Sequence, residues 1–242
     1  DEVIAHLDVI ITTETNAKST LAFFPVLYKK VTERIKLGIQ NKEFEDNPRM
    51  ERLDVTFASR YIEAYEQFKA GQKPTESWQV AFDAAQNKII IMQHLLLGIN
   101  AHINLDLGIA VAETVGQDGD MESIKSDYNK INAILAAMVE GVELSIGKVS
   151  PVFFLLEKIG KGREDKIVTF SIDIARDEAW IFANNYHLAT QKEEAIDVRD
   201  AIIANLGRKL ITSKSRFLRG VIGFIRFFES KNVAKIVATL AE

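Results

Sequence analysis

The stretch Gln93-His94-Leu95-Leu96-Leu97-Gly98-Ile99-Asn100-Ala101-His102-Ile103-Asn104-Leu105-Asp106 decides how the rest of the chain is read. It places two of the four histidines, two asparagines and an aspartate inside a long apolar run. Polar groups in such a run are paired inside the protein or they bind something, because burying them unpaired costs free energy. Apolar residues occupy most of the helical circumference from about 87 to 114, which predicts a central helix surrounded by others. The expectation is an all-α fold: one multi-helix bundle over residues 1–242, built around that buried central helix.

The flanking sequence agrees with helix nearly throughout. Residues 2–14 read as a short helix. Phe23, Phe24, Leu27, Val31, Ile35 and Ile39 form a stripe at three- and four-residue spacing, with Pro25 placed in the first turn. Asn47-Pro48 reads as a cap followed by a first-turn proline, opening a helix to about Lys69 that Gly71 stops. Pro74-Thr75 opens the segment anchored by Trp78 and Phe82. A more polar helix follows the turn Gln117-Asp118-Gly119-Asp120 and runs to about Ile146, and Ser150-Pro151 starts a short one ending at Gly160. Lys161-Gly162-Arg163 reads as a loop, 163–190 as one long helix and 193–210 as another. The tail, 213–242, reads as a basic amphipathic segment of one or two helices. No strand alternation, internal repeat or Pro/Gly/Ser-rich linker interrupts this pattern.

Composition removes several function classes. The 242 residues are 47% hydrophobic and 26% charged, ordinary globular values, with a net charge of −4 that gives no electrostatic case for nucleic acid. The absence of cysteine excludes disulfides, thiolate catalysis and cysteine-type zinc sites. No uncharged apolar run reaches the length of a membrane span, so no transmembrane segment is expected. The compartment is left open: cytoplasmic by default, with export allowed because the sequence starts at Asp1.

His102 and Asp106 are four residues apart and share a helix face, about 6 Å apart along the axis. That spacing suits a metal, since an imidazole and a carboxylate can converge on one ion, and it suits equally a hydrogen bond that satisfies two buried groups. His94 lies about 12 Å and about 80° from His102 on an unbroken helix, so a shared ion requires a break near Gly98. Asp173, Asp177 and Asn184 form a second polar stripe, with His187 one turn beyond, from which Asp177 or His187 would complete a site. Asp54 is a charge among core-type residues, and Arg60 would neutralise a buried carboxylate or clamp an anionic substrate. Arg176 invites the same two readings. In the tail, Lys209, Lys214, Arg216, Arg219 and Arg226 interleave with Phe217, Leu218, Phe224, Phe227 and Phe228, a pattern for a membrane surface or an acidic partner, or for a core helix with a solvated basic edge. Phosphate loops, His-Glu-x-x-His, Gly-x-Ser-x-Gly, EF-hand loops and Glu-x-x-His are absent from the sequence.

The segments Leu53-Asp54, Phe57-Ala58, Arg60-Tyr61, Trp78, Ala81-Phe82 and the central run through Leu107 resemble DUF5995, a bacterial family of uncharacterised proteins, best over residues 21–115. A looser similarity links the His-x-x-x-Asp pair at His102/Asp106 to the helical zinc-dependent phospholipase C and P1-type nuclease group. The chain departs from that group in having only four histidines and no N-terminal tryptophan ligand. The resemblance implies at most one or two metals.

Two functions follow. One is a metal-dependent hydrolase of phosphoester or related small molecules, with zinc or iron held by His102, Asp106 and members of the set His94, His187 and Asp177, and with Asp54 and Arg60 acting on substrate. The other is a non-enzymatic helical module whose polar core is structural and whose basic tail meets a partner or membrane surface. A binding or oxidation role in the polar pocket, without hydrolysis, is a third.

Overall fold

The computed structural model describes residues 1–160 and 165–242. It is all-α, and no strand occurs among the described residues. The helices are α1 (Glu2–Asn16), α2 (Phe23–Gln40), α3 (Asn47–Lys69), α4 (Glu76–Asp83), α5 (Ile91–Ala101), α6 (Leu107–Val115), α7 (Lys125–Val149), α8 (Phe154–Gly160), α9 (Lys166–Thr169), α10 (Ile172–Leu188), α11 (Lys192–Ile211), α12 (Arg216–Phe228) and α13 (Val233–Ala241). A π-helical turn, His102–Asp106, joins α5 to α6, so Ile91–Val115 is one 25-residue rod.

That rod is the centre of the bundle. It is long and apolar enough to cross a bilayer, but 89% of its most apolar window is buried by other helices. Glycines set how closely they approach. A Cβ on Gly98 would lie 2.4 Å from the Phe24 ring of α2, and one on Gly108 would lie 2.7 Å from Phe182 and 2.9 Å from the Ala179 carbonyl of α10. Gly98 is therefore a packing residue and the helix does not break there. Each leucine the rod buries contributes roughly 1.5–3 kcal/mol.

Caps explain several boundaries. Asp46, one residue before the expected Asn47, caps α3 by accepting from the Arg49 amide at 2.9 Å, and Asn47 turns back to donate to the Phe44 carbonyl. Gly71 ends that helix region with φ of 72°. The expected long helix over 163–190 is divided: α9 ends, Phe170 and Ser171 are extended, and the Ser171 hydroxyl caps α10 at the Ile174 amide. A serine offered to a free helix amide competes with continuation of the helix, which periodicity alone does not register. The expected loop at 161–163 lies outside the described residues.

The tail is built into the core. Leu218, Ile225, Val233, Ile236 and Leu240 pack in one cluster with Ile90, Ile91 and Leu95. Glu229 accepts from the Ile91 amide at 3.2 Å and from Ser150 Oγ at 2.9 Å, so the residue after α12 caps the central rod. The opposite side of α12 leaves Phe224, Phe227 and Phe228 exposed.

Candidate functional site

The π-helical turn sets the site. Widening the helix between His102 and Asp106 keeps both side chains on one side of the rod, and such turns are found frequently at functional positions. Asp106, 1% exposed, is held by three side chains: Arg60 Nε donates to Oδ1 at 3.0 Å, Trp78 Nε1 donates to Oδ2 at 2.8 Å, and His102 Nδ1 lies 3.2 Å from Oδ2. Burial holds the His102 pKa below its ordinary value, the bond to Asp106 opposing and the Arg60 charge adding. The ring is therefore neutral at physiological pH, and the carboxylate beside Nδ1 places the one ring proton there. Nε2 is left with a bare lone pair, and it is buried without a hydrogen-bond partner. The ring stacks on Phe57, centroids 3.6 Å apart at 7°, and meets the edge of Tyr28 at 4.4 Å.

At His102 this network reaches a hollow. A partly enclosed cavity of about 530 Å³ lies between the rod, α2, α3, α7 and the α9–α10 junction. Leu27, Val31, Ile99, Leu135, Met138 and Phe170 line it, and each is only half-buried although none is on an outward-facing stripe of the core clusters. Their open surface belongs to the cavity. A few polar groups break this apolar wall. Asp54 sits between Leu53 and Phe57, and no donor among the described residues hydrogen-bonds its carboxyl. Burial pushes its pKa up to about 7, with a smaller upward push from Glu51. The Tyr28 hydroxyl is buried without a hydrogen bond of ordinary geometry, as is its neighbour Thr32 Oγ1. Glu143 and Asp173 are exposed and stand at the mouth.

The sequence-derived residues are distributed as follows. His102, Asp106 and Arg60 come together; of the three only His102 reaches the cavity wall, which Asp54 also lines. Arg60 pairs with Asp106 and not with Asp54, since six residues of helix set them about 9 Å and about 120° apart. His94 is separate: it packs edge-on against Phe23 at 5.9 Å, and burial, with the Arg226 charge, takes its pKa down to about 4. Asp177 is exposed on α10, and His187 is at the end of α10, where its carbonyl accepts from Lys192. Among the described residues no three His, Asp or Glu side chains are grouped to hold a metal ion. The donors already on both Asp106 oxygens also leave that carboxylate little lone-pair capacity for a cation. Arg176 is in a clasp with Tyr128: its guanidinium donates to the Tyr128 carbonyl at 3.0 Å while Tyr128 Oη donates to the Arg176 carbonyl at 2.6 Å.

Sequence reasoning missed Tyr28 and the donor role of Trp78. A signal existed for both: Tyr28 falls four residues after Phe24 on the α2 stripe, and a buried indole N–H needs an acceptor. The π-helical turn had no sequence signal.

The fold and cavity define a class: an all-helical bundle with an apolar chamber and, behind the His102 of its wall, a buried His–Asp–Arg–Trp network. The family model DUF5995, described as a family of unknown function, matches residues 1–213, and the chain belongs to that family. No curated protein and no solved structure matches the chain, so the looser likeness to zinc-dependent phospholipase C and P1-type nucleases finds no support.

Proposed function

We propose that the protein binds a small, predominantly apolar molecule in the chamber beside His102. The observation that carries this reading is the cavity of about 530 Å³, apolar but for a few polar groups, one of which, the Asp54 carboxyl, has no hydrogen-bond donor. Its size and character are those of small-molecule sites, which span about 300–1,000 Å³ and use a few polar groups for orientation. A well-packed core leaves no such space, and buried polar atoms left unpaired in the free protein cost about 1–3 kcal/mol each unless something satisfies them. Asp54, with a pKa of about 7 inside the chamber, also has the property of a general acid or base near neutral pH. Chemistry on the bound molecule is compatible with that placement. Hydrolysis by a zinc or iron centre draws no support from the donor set, because His94, His187 and Asp177 stand away from His102.

A titration with Nile red tests the binding reading. The full chain is expected to bind the dye with a rise in fluorescence, and Val31→Trp, which fills the chamber from α2, is expected to abolish the rise while leaving the helical circular dichroism unchanged. Equal dye binding by both proteins would refute the chamber as the site.

A second reading concerns α12. Phe227 is 78% exposed and Phe224 and Phe228 about half, with Arg216 and Lys214 exposed nearby. Such a face suits the interface of an anionic membrane, and the buried face of the same helix keeps it attached to the core. Sedimentation with vesicles containing phosphatidylserine tests it: binding lost in Phe227→Ser with Phe224→Ser supports the reading, and retention by that double variant removes it.

A further inference from the structure

The chamber holds more negative than positive chemistry. Its charged lining residues are Asp54, Glu143 and Asp173 against Arg176 alone. Arg176 is 2% exposed, donates to the Tyr128 carbonyl and lies over the Tyr128 ring, with Asp173 and Asp177 close enough to act on its charge. Its Nε has no hydrogen-bond partner, but the group is almost fully buried and the two neighbouring carboxylates offset its charge. His102 is neutral, and its acceptor Nε2 is fully buried. Tyr28 Oη sits against Thr32 and is near enough to Asp54 for that carboxyl to raise its pKa, burial being the larger cause. An anionic head group entering this chamber meets three carboxyl groups and a single cation that is 2% exposed. A donor entering it meets a carboxyl that nothing else hydrogen-bonds.

We infer that the chamber selects a lipophilic amine, whose chain lies against the apolar wall and whose nitrogen meets the Asp54 carboxyl. This rests on the apolar-ligand reading above and adds the head group to it. The pairing leaves no net charge in the chamber. Above about pH 7 the ammonium meets the ionised carboxylate directly; below it a neutral amine takes the carboxyl proton, the N–H bond forming as the O–H bond breaks. The product is an ammonium–carboxylate pair joined by a charge-assisted hydrogen bond. A carboxylate ligand lacks this route and must be desolvated beside like charge.

The experiment is displacement of Nile red from the full chain at about pH 8 by dodecylamine, dodecanol and dodecanoate, which share one alkyl chain. Dodecylamine is expected to bind at least about ten-fold more tightly than dodecanol, and dodecanoate most weakly. Asp54→Asn is expected to bring the amine within about two-fold of the alcohol, and Glu63→Gln, on the exposed side of α3 outside the chamber lining, to preserve the wild-type order. If dodecanol matches the amine, if dodecanoate binds best, or if Asp54→Asn keeps the preference, the amine inference is overturned and the chamber still stands as an apolar site. If Nile red binds and none of the three displaces it, the inference is likewise overturned. If Nile red itself does not bind, the chamber reading fails first. The wild-type ligand order decides the question even if Asp54→Asn does not fold.

Discussion

The two flanks of the central rod treat their polar groups in opposite ways. Toward α11 every amide in the rod is used: Gln93 donates to the Leu210 and Ile211 carbonyls at 2.7 and 2.9 Å, Asn100 donates to the Ile203 carbonyl at 3.0 Å, and Asn104 donates to Asn100 at 3.2 Å. Toward α2 and α3 the apolar wall opens: the Asp54 carboxyl lines it with no donor, and His102 Nε2 is buried behind it with none. The same residue types thus serve two ends. Where the partners are complete, the polar side chain fixes the register of one helix on another. Where they are missing next to a space, the side chain is available to a ligand. His102 spans the two, since Nδ1 is committed to Asp106 and Nε2 is not.

The sharpest way to break this comparison is Asp106→Asn. It leaves the Arg60 guanidinium without its buried carboxylate and disturbs the Trp78 and His102 bonds, so a loss of roughly 3–5 kcal/mol in urea unfolding is expected. A loss under about 1 kcal/mol would mean the network is not structural.

Asp54→Asn should act in the other direction. The folded pKa of Asp54 is raised to about 7 while the unfolded carboxyl titrates at about 4, so between those values the unfolded state releases its proton first. The contribution is fully present below about pH 4, falls as pH rises and is lost above about pH 7, a swing of roughly 2–4 kcal/mol. Wild type should therefore lose stability relative to Asp54→Asn across that window, and the variant should be the more stable protein at about pH 8. Parallel stability–pH curves would place Asp54 in contact with water or a donor.

Asn100→Ala tests the paired flank more gently. It removes one amide from the Ile203 carbonyl and unpairs Asn104, which corresponds to a loss of about 1–3 kcal/mol with Nile red affinity unchanged. A variant that keeps its stability but loses the dye would reverse the assignment of the two flanks. The smallest effect belongs to Phe227→Ser on the exposed side of α12, where unfolding free energy should change by no more than about 0.5 kcal/mol.

Much of the fold was legible because periodicity and caps are local. The α2 stripe, the Pro48 start, the Gly71 stop and the apolar circumference of 91–115 are written within a few residues of where they act. The division at Phe170–Ser171 was hidden because a single serine cap outweighed a continuous apolar pattern. The site was legible by halves. His102, Asp106 and Arg60 announce themselves as charges and rings among apolar residues, and they do meet. Their partners across the bundle were not legible: Trp78 lies on α4, and which carboxylate Arg60 takes depends on how α3 rotates against the rod. The chamber was invisible as well, because an unfilled volume is a property of several helices together and leaves no mark on any one. His94, Asp177 and His187 illustrate the same limit, since shared residue chemistry did not bring them to a shared place.

Xenon diffused into a crystal of the ligand-free protein tests the unpaired flank most directly, because xenon occupies dry apolar cavities. The difference map should show xenon against Ile99 and Leu135, on the α2 and α7 side of the rod, and nothing beside Asn100. A map with no xenon at Ile99, and side chains closed over that space, would contradict the account.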